Sequence, residues 1–318
     1  MPRIVKTHLP RAIGTFTSDS SQGPTVLLVG GMHGNEPAGI VAIQRVLEQL
    51  PARAESFRGR VTGLIGNCRA TAQGVRYVSS DLNRLFLPES IRIIRNKPVL
   101  PPESAGAETC EIHEFTDAVG TVLAERPPGR LYVLDLHTSS APSVPFLIAR
   151  QTANNRRLAE ALGFPAVTGF EGHLKGVFGM TFDSAFELSA RNCACLVVES
   201  GQHDSSEALT YAIAAIWLTL AAAGCVPAED AAVERSRLLV SRLPGDLPRR
   251  LRLTDRYAIK PEAGFAMRPG FRNFDPVREG QILADNRYGA ITSPRDGLIL
   301  MPLYQAQGED GFFIVQEE

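Results

Sequence analysis

Thr25-Val26-Leu27-Leu28-Val29-Gly30-Gly31-Met32-His33-Gly34-Asn35-Glu36-Pro37 is the stretch whose reading decides the fold. The apolar run from Thr25 to Val29 predicts a strand buried on both faces. Gly30 and Gly31 end it. Pro37 suits the first turn of a helix, and Ile40, Val41, Ile43, Val46, Leu47 and Leu50 supply its apolar stripe. A strand, a tight turn and a helix in succession form the repeating unit of an α/β layer fold. Further along, Arg60 to Ile65, Leu131 to Leu136 and Cys195 to Val198 read as strands, and residues 106–125 as a helix. This alternation predicts a mostly parallel or mixed sheet flanked by helices.

The character changes near residue 235. Arg235 to Arg252 is basic and broken by Pro244, Gly245 and Pro248, so it reads as a linker. Beyond it, turn signals crowd together at Glu262-Ala263-Gly264, Arg268-Pro269-Gly270, Glu279-Gly280 and Pro294-Arg295-Asp296-Gly297. Such spacing predicts a small all-β domain. The expected division is a catalytic domain over 1–235 and a C-terminal β domain over 236–318.

Composition narrows the function. The chain has 318 residues, 44 % of them hydrophobic and 21 % charged, enough for a sizeable core. Its formal net charge of −1 gives no electrostatic footprint for nucleic acid or an anionic membrane, so a small-molecule partner is expected. The 5 cysteines are scattered, which argues against a disulfide framework and for a reducing compartment. Cys193 and Cys195 at strand spacing face one side and read as small buried residues. Met1-Pro2-Arg3-Ile4-Val5-Lys6 lacks an apolar run, so no signal peptide is expected and a cytoplasmic location follows. Ala208 to Val226 carries no charge, but its alanines, Thr210, Tyr211 and Thr219 favour a buried or interface helix over a membrane span. Asp204 is its expected cap, with Glu207 in the first turn.

The chemistry centres on His33 and Glu36. Three residues apart between a strand and a helix, they can converge on one ion, and the glycines allow a sharp backbone turn beside it. His137 follows the strand that ends at Leu136. Open α/β sheets bind ligands at the carboxyl ends of their strands, so His33 and His137 can share one crevice. Asp135, two residues earlier, faces the same way and can accept a ring N–H from a ligating histidine. The residues alone leave this metal reading evenly matched with that of structural histidines satisfied by the protein. Two histidines and a glutamate would leave a fourth zinc position open, the mark of a catalytic site.

Glu199 follows the strand ending at Val198 and suits a general base, or else a carboxylate at a helix N-terminus. Arg76 and the run Asp81-Leu82-Asn83-Arg84 offer guanidinium and amide donors for a carboxylate or an oxyanion, or else solvated surface charge.

Taken together, His33-Gly34-Asn35-Glu36, Arg76-Tyr77 leading to Asp81-Leu82-Asn83-Arg84, Asp135-Leu136-His137 and Glu199-Ser200-Gly201 resemble, in order, the blocks of the succinylglutamate desuccinylase/aspartoacylase family, which has a zinc carboxypeptidase-like fold. The resemblance covers roughly residues 24–205. The tail from Met301 to Phe313 is also similar to that of bacterial members. The resemblance implies one zinc ion (Zn2+) per chain on His33, Glu36 and His137. It implies Glu199 as general base and then acid, Arg76 at the oxyanion, and Asn83 with Arg84 on the substrate α-carboxylate. It further implies hydrolysis of an N-acyl amino acid, with the C-terminal β domain narrowing access. Animal aspartoacylases place a tyrosine from that domain near the substrate, whereas Gly311-Phe312-Phe313 here carries no hydroxyl. Arg191 and His203 lie close to Glu199 in sequence without an assigned place.

Other readings compete. A metallocarboxypeptidase shares the same groups but needs an open cleft. A non-catalytic carboxylate-binding protein has no need of Glu199. A serine hydrolase lacks a G-x-S-x-G elbow around Ser139, Ser140 or Ser200, and no G-x-G-x-x-G or phosphate loop follows a strand. His113, between Glu111 and Glu114, is expected at the solvated face of its helix. The acyl group, the amino acid and the oligomeric state, a homo-oligomer included, stay open.

Overall fold

The computed structural model describes residues 9–18, 22–94, 106–127, 129–189 and 192–318. In chain order it holds β1 (Ala12–Thr17), β2 (Thr25–Gly30), α1 (Ala38–Gln49), β3 (Arg60–Ile65), α2 (Cys68–Gln73), α3 (Pro88–Ile94), α4 (Ala107–Glu125), β4 (Leu131–Ser139) and β5 (Phe146–Ala149). α5 (Ala153–Leu162), β6 (Ala166–Thr168), α6 (Phe178–Ala185), β7 (Cys193–Gln202), α7 (Ser206–Ala223) and α8 (Ala231–Val240) follow. The remainder is β8 (Arg250–Ala258), β9 (Ala266–Met267), β10 (Pro276–Val277), β11 (Ile282–Asn286), β12 (Gly289–Thr292), β13 (Gly297–Leu300) and β14 (Asp310–Glu317).

The main sheet is mixed, in the order β1-β3-β2-β4-β7-β5-β6-β8-β14-β13-β10. β3, β2, β4 and β7 run parallel, and all six residues of β2 are buried, as an apolar run sandwiched by helices requires. One face carries α1 and α7 over a core that includes Val26, Leu28, Leu134, Leu196 and Trp217. The opposite face carries α4 and α6 over Leu27, Val29, Val133 and an aromatic cluster. In that cluster Phe86, Phe115 and Phe178 meet edge to face at 5.0 to 5.6 Å.

α7 is long and apolar enough to cross a membrane by length and composition, yet half of it is buried against α1, α8 and the sheet. The expected helix is therefore a core helix here. Its cap is Ser205, whose side chain accepts from the Glu207 N–H, one residue later than the expected Asp204.

Other expectations need correction. The stretch expected as a linker begins inside α8, because Val233, Ser236 and Val240 bury one face of a helix whose charges lie on the other. The C-terminal strands do not stand apart from the main sheet. β8 pairs in parallel with β6 through Ala166–Arg250 and Val167–Leu251, so β8, β14, β13 and β10 extend it. β9, β11 and β12 form a separate antiparallel sheet of 3 strands. His113 is buried rather than solvated, because α4 is covered on several sides and also buries Glu108, Glu111 and Thr116.

Candidate active site

β2, β4 and β7 lie side by side, so their carboxyl ends deliver side chains to one crevice. His33 and Glu36 come from the turn after β2. Gly34 lets that turn lie flat on α2: a Cβ there would sit 2.1 Å from the backbone carbon of Ala70. β4 and β7 run further than their apolar cores suggest, to Ser139 and Gln202, so His137 and Glu199 lie inside strands rather than past them. The two are register partners and leave the sheet on the same face. Just beyond, the register shifts between His137 and Ser139, an irregularity of the kind that re-aims side chains beside active sites.

His33 Nδ1 lies 2.9 Å from Glu36 Oε1, and His137 Nδ1 lies 3.0 Å from Glu36 Oε2. The two ring centroids are 5.0 Å apart. A carboxylate lies behind each imidazole. His33 Nε2 is 3.2 Å from Asp81 Oδ1, and His137 Nε2 is 3.1 Å from Asp135 Oδ1. Asp135 is fixed in turn by the Gly179 N–H of α6, and Glu36 Oε2 also accepts from the Thr138 N–H at 3.0 Å.

These residues fit a divalent cation. The ligand-capable atoms of His33, Glu36 and His137 lie within 4.8 Å of one another. Zinc bonds of about 2.0–2.1 Å in a tetrahedron put neighbouring donors roughly 3.3 Å apart, close to the separations seen. Charge points the same way. Glu36, Asp81, Asp135 and Glu199 are all at most 4 % exposed, and Arg76 touches Glu36 and Asp81 only at 3.4 and 3.3 Å. Buried carboxylates at this density need a positive counter-charge. Glu199 Oε2 is buried with no hydrogen-bond partner, and so is Arg76 Nε.

The electrostatics separate two kinds of carboxyl group. Burial pushes Glu36 up, but the two imidazoles outweigh it and hold it well below the usual carboxylate range. Asp81 is likewise held low, by His33, Arg76 and Arg84 against its burial. Burial pushes Glu199 up to about 8, with the like charges of Glu36 and Asp135 adding to it and His137 and Arg76 opposing. Glu199 is thus the carboxyl group of the cluster whose surroundings favour the protonated form.

Arg76, Asn83 and Arg84 line the same cavity as His33, Glu36, His137 and Glu199. Asn83 is buried, its side-chain oxygen accepting from the Phe178 N–H. Arg84 is already engaged: its Nε lies 3.2 Å from Glu309 and its Nη2 2.8 Å from Asp310. Asp310 also pairs with Arg256 at 2.6 Å, whereas the Glu309 side chain is half exposed. Among the other residues flanking Glu199 in sequence, Arg191 lies outside the described residues. His203 is within reach, 2.7 Å from Thr138 Oγ1 and 3.3 Å from Gln305 Oε1.

Two features escaped the sequence reading. Asp81 supports His33 from 48 positions away, a distance at which no local pattern links them. The narrowing of access by the C-terminal part was expected, but not the contacts by which the segment between β13 and β14 crosses the mouth of the site. Gln305 accepts from Asn35, Gln307 donates to the Tyr77 carbonyl, and the Tyr304 N–H donates to Ser140.

Residues 22–216 match the succinylglutamate desuccinylase/aspartoacylase catalytic domain. A probable aspartoacylase of Nostoc sp. is 30 % identical over 116 residues, 36 % of this chain and 35 % of that protein. A succinylglutamate desuccinylase of Chromobacterium violaceum is 34 % identical over 107 residues, 31 % of this chain and 32 % of that protein. The chain thus spans about a third of the length of these curated relatives. The crystal structure of a succinylglutamate desuccinylase/aspartoacylase from Rhodobacter sphaeroides shares the fold. Its TM-score is 0.65 at 22 % identity, covering 96 % of this chain and 88 % of that one. The product-bound ectoine utilization protein EutE of Ruegeria pomeroyi gives 0.61 at 22 % identity, covering 93 % and 85 %. With more than half of its length matched by that catalytic domain, the chain belongs to the succinylglutamate desuccinylase/aspartoacylase family.

Proposed function

We propose that this chain is a zinc-dependent hydrolase that cleaves the amide bond of an N-acyl amino acid. The observation that carries the reading is the convergence of His33 Nδ1 and His137 Nδ1 on the two oxygens of Glu36, beside the unpartnered Oε2 of Glu199. His33, Glu36 and His137 would hold one zinc ion per chain, which when bound supplies a Lewis acid for the scissile carbonyl and for water.

The chain's own groups supply the rest. Asp81 and Asp135 orient the imidazoles. Glu199 takes a proton from the attacking water and delivers it to the leaving nitrogen, a task suited to a group that titrates near neutrality. A divalent cation beside it favours its ionised, basic form at the start of the cycle. Arg76, with Nε unpartnered, faces the charge that develops on the carbonyl oxygen. Asn83 and Arg84 take the substrate α-carboxylate, which displaces the half-exposed Glu309 from the Arg84 guanidinium. The segment from Met301 to Asp310 narrows the mouth, which favours a small substrate over the peptides a metallocarboxypeptidase accepts. A catalytic part that ends with α8 and is followed by the C-terminal strands, a cytoplasmic location and a small-molecule partner belong to the same proposal.

The test is a hydrolysis screen of N-acyl amino acids with a chelated and a zinc-restored enzyme, run beside Glu199→Gln. Chelation abolishes turnover and zinc restores it. Glu199→Gln binds zinc as the parent does but loses about 10²–10⁴ in kcat, the usual contribution of a general base. Parental turnover in that variant would show the mechanism to be wrong. Cobalt, nickel or manganese in the same add-back identifies the preferred metal.

A further inference from the structure

The cavity beside the metal-type cluster is two-faced. Its far wall is hydrocarbon: Ile148 of β5, Phe170, Val177 and Met180 at the start of α6, Val197 of β7 and Phe313 of β14. All six belong to one core cluster, built where the end of the catalytic sheet meets the C-terminal strands. Phe313 faces this cavity, whereas its neighbour Phe312 turns to the other side of the sheet and stacks on Tyr257 at 5.4 Å. Half-buried Leu174 and Met301 complete the rim.

The cavity is poor in positive charge. Among the described residues that line it, Arg76 and Arg84 are the arginines, and no lysine joins them. Arg76 lies against Glu36 and Asp81 at the reacting centre. Arg84 lies against Glu309 and Asp310, of which Asp310 is shared with Arg256. Among the described lining residues, one guanidinium is therefore available for one substrate carboxylate. A second carboxylate would meet Glu309 and Asp310, the hydrocarbon wall, or Thr138, Ser139, Ser140 and Gln305, whose side chains are already hydrogen-bonded within the protein. None of these supplies a positive charge, so an ionised group there loses water without gaining a charged partner.

The wall also lies in a definite place relative to the carboxylate clamp. Gly176, at φ +75°, packs so closely on Arg84 that a Cβ would sit 2.6 Å from its carbonyl oxygen. Asn83 is bonded to Phe178. The segment from Leu174 to Met180 is thus packed on the backbone of Arg84 and bonded to the Asn83 side chain. The group that shares a carbon with an α-carboxylate is the amino-acid side chain, so this wall receives the side chain.

Building on the hydrolase reading above, we infer that the substrate is an N-acyl amino acid with a single carboxylate and an apolar side chain, of leucine or phenylalanine type. It is not a polycarboxylate such as the succinylglutamate after which relatives are named.

The test compares kcat/KM for N-acyl-leucine and N-acyl-phenylalanine with that for N-acyl-aspartate and N-acyl-glutamate. The zinc-loaded enzyme is used, and the ratio is taken within each of an acetyl, a formyl and a butanoyl series. The expected result is a preference of at least about 100-fold for the apolar side chains. Leu174→Arg and, separately, Met301→Arg place a cation at the rim away from the reacting groups. Each should narrow the preference by about tenfold or more, chiefly through a lower KM for the aspartate derivative. Equal or faster hydrolysis of the aspartate or glutamate derivatives by the parent enzyme overturns the inference and leaves the deacylase reading standing. So does an unchanged ratio in both folded variants, since the wall then does not face the side chain. Failure to hydrolyse any N-acyl amino acid with zinc present removes the deacylase reading itself, and the inference with it.

Discussion

Asp81 joins three parts of the site through one carboxylate. Its Oδ1 lies 3.2 Å from His33 Nε2 and accepts from the Asn83 N–H at 2.9 Å, while Oδ2 meets Arg76 at 3.3 Å. Removing its charge leaves the ring of His33 free to turn and lowers the basicity of the ligating nitrogen. Asp81→Asn is therefore expected to bind zinc about 10–100-fold more weakly, read by competition with a chromogenic chelator. An unchanged affinity would show that the contact plays no part in holding the metal. The cluster of His33, Glu36 and His137 was legible in the sequence, because the three-residue spacing of His33 and Glu36 and the strand-end position of His137 are local patterns. Asp81 could be read only as a member of a motif. Its partner lies on another loop, and the folded chain alone brings the two together. The place of Arg84 in the cavity was legible from its motif, but its ion pairs with Glu309 and Asp310 were not, since those acids arrive from 225 and 226 positions away.

The loop carrying Arg76, Asp81, Asn83 and Arg84 has little regular structure of its own and borrows its order from α4. Buried Glu108 accepts from the N–H groups of Val78, Ser79 and Ser80, from the Ser79 hydroxyl at 2.5 Å and from Asn67 Nδ2. Burial alone would raise its pKa, but these hydrogen bonds outweigh it and the pKa is lowered. A lowered folded pKa contributes stability that is present above the unfolded value, about 4.3, and is lost as pH falls through the folded value. Glu108→Gln should accordingly destabilise the protein by about 1.5–3 kcal/mol at pH 7, the range for hydrogen bonds to a charged group. The deficit should shrink as the parent's own carboxylate protonates below about pH 4. Urea unfolding of both proteins across that range measures it, and a gap independent of pH would mean that the charge is not what matters. The helix was legible from its period, as were β2, β3 and the cores of β4 and β7. β5 and β6 were not, with 4 and 3 residues too short to show a period. α8 was masked by its own exposed charges, Arg235 and Arg237 among them.

At the scale of the molecule, α/β layering followed from alternation along the chain, but the joining of the C-terminal strands to the main sheet did not. That joining rests on β6 pairing with β8 across more than 80 positions, and pairings of that range leave no local trace. The same sheet brings the ligands together, since Gly30 of β2 pairs with Leu136 of β4 and His137 with Glu199 of β7. A cation on His33, Glu36 and His137 would therefore tie the turn after β2 to the next strand of the sheet and would bind the folded chain alone. Binding only to the folded state stabilises it by mass action, about 2.7 kcal/mol when free zinc is 100 times its Kd. For a chain of this size that corresponds to an increase in Tm of roughly 5 °C. His137→Ala breaks the ligand set, so its own Tm should be nearly insensitive to zinc. Scanning calorimetry with and without zinc separates the outcomes. If zinc raises the Tm of parent and variant equally, the ion binds somewhere other than the strand-end cluster, and the three side chains then form a hydrogen-bonded group without a metal.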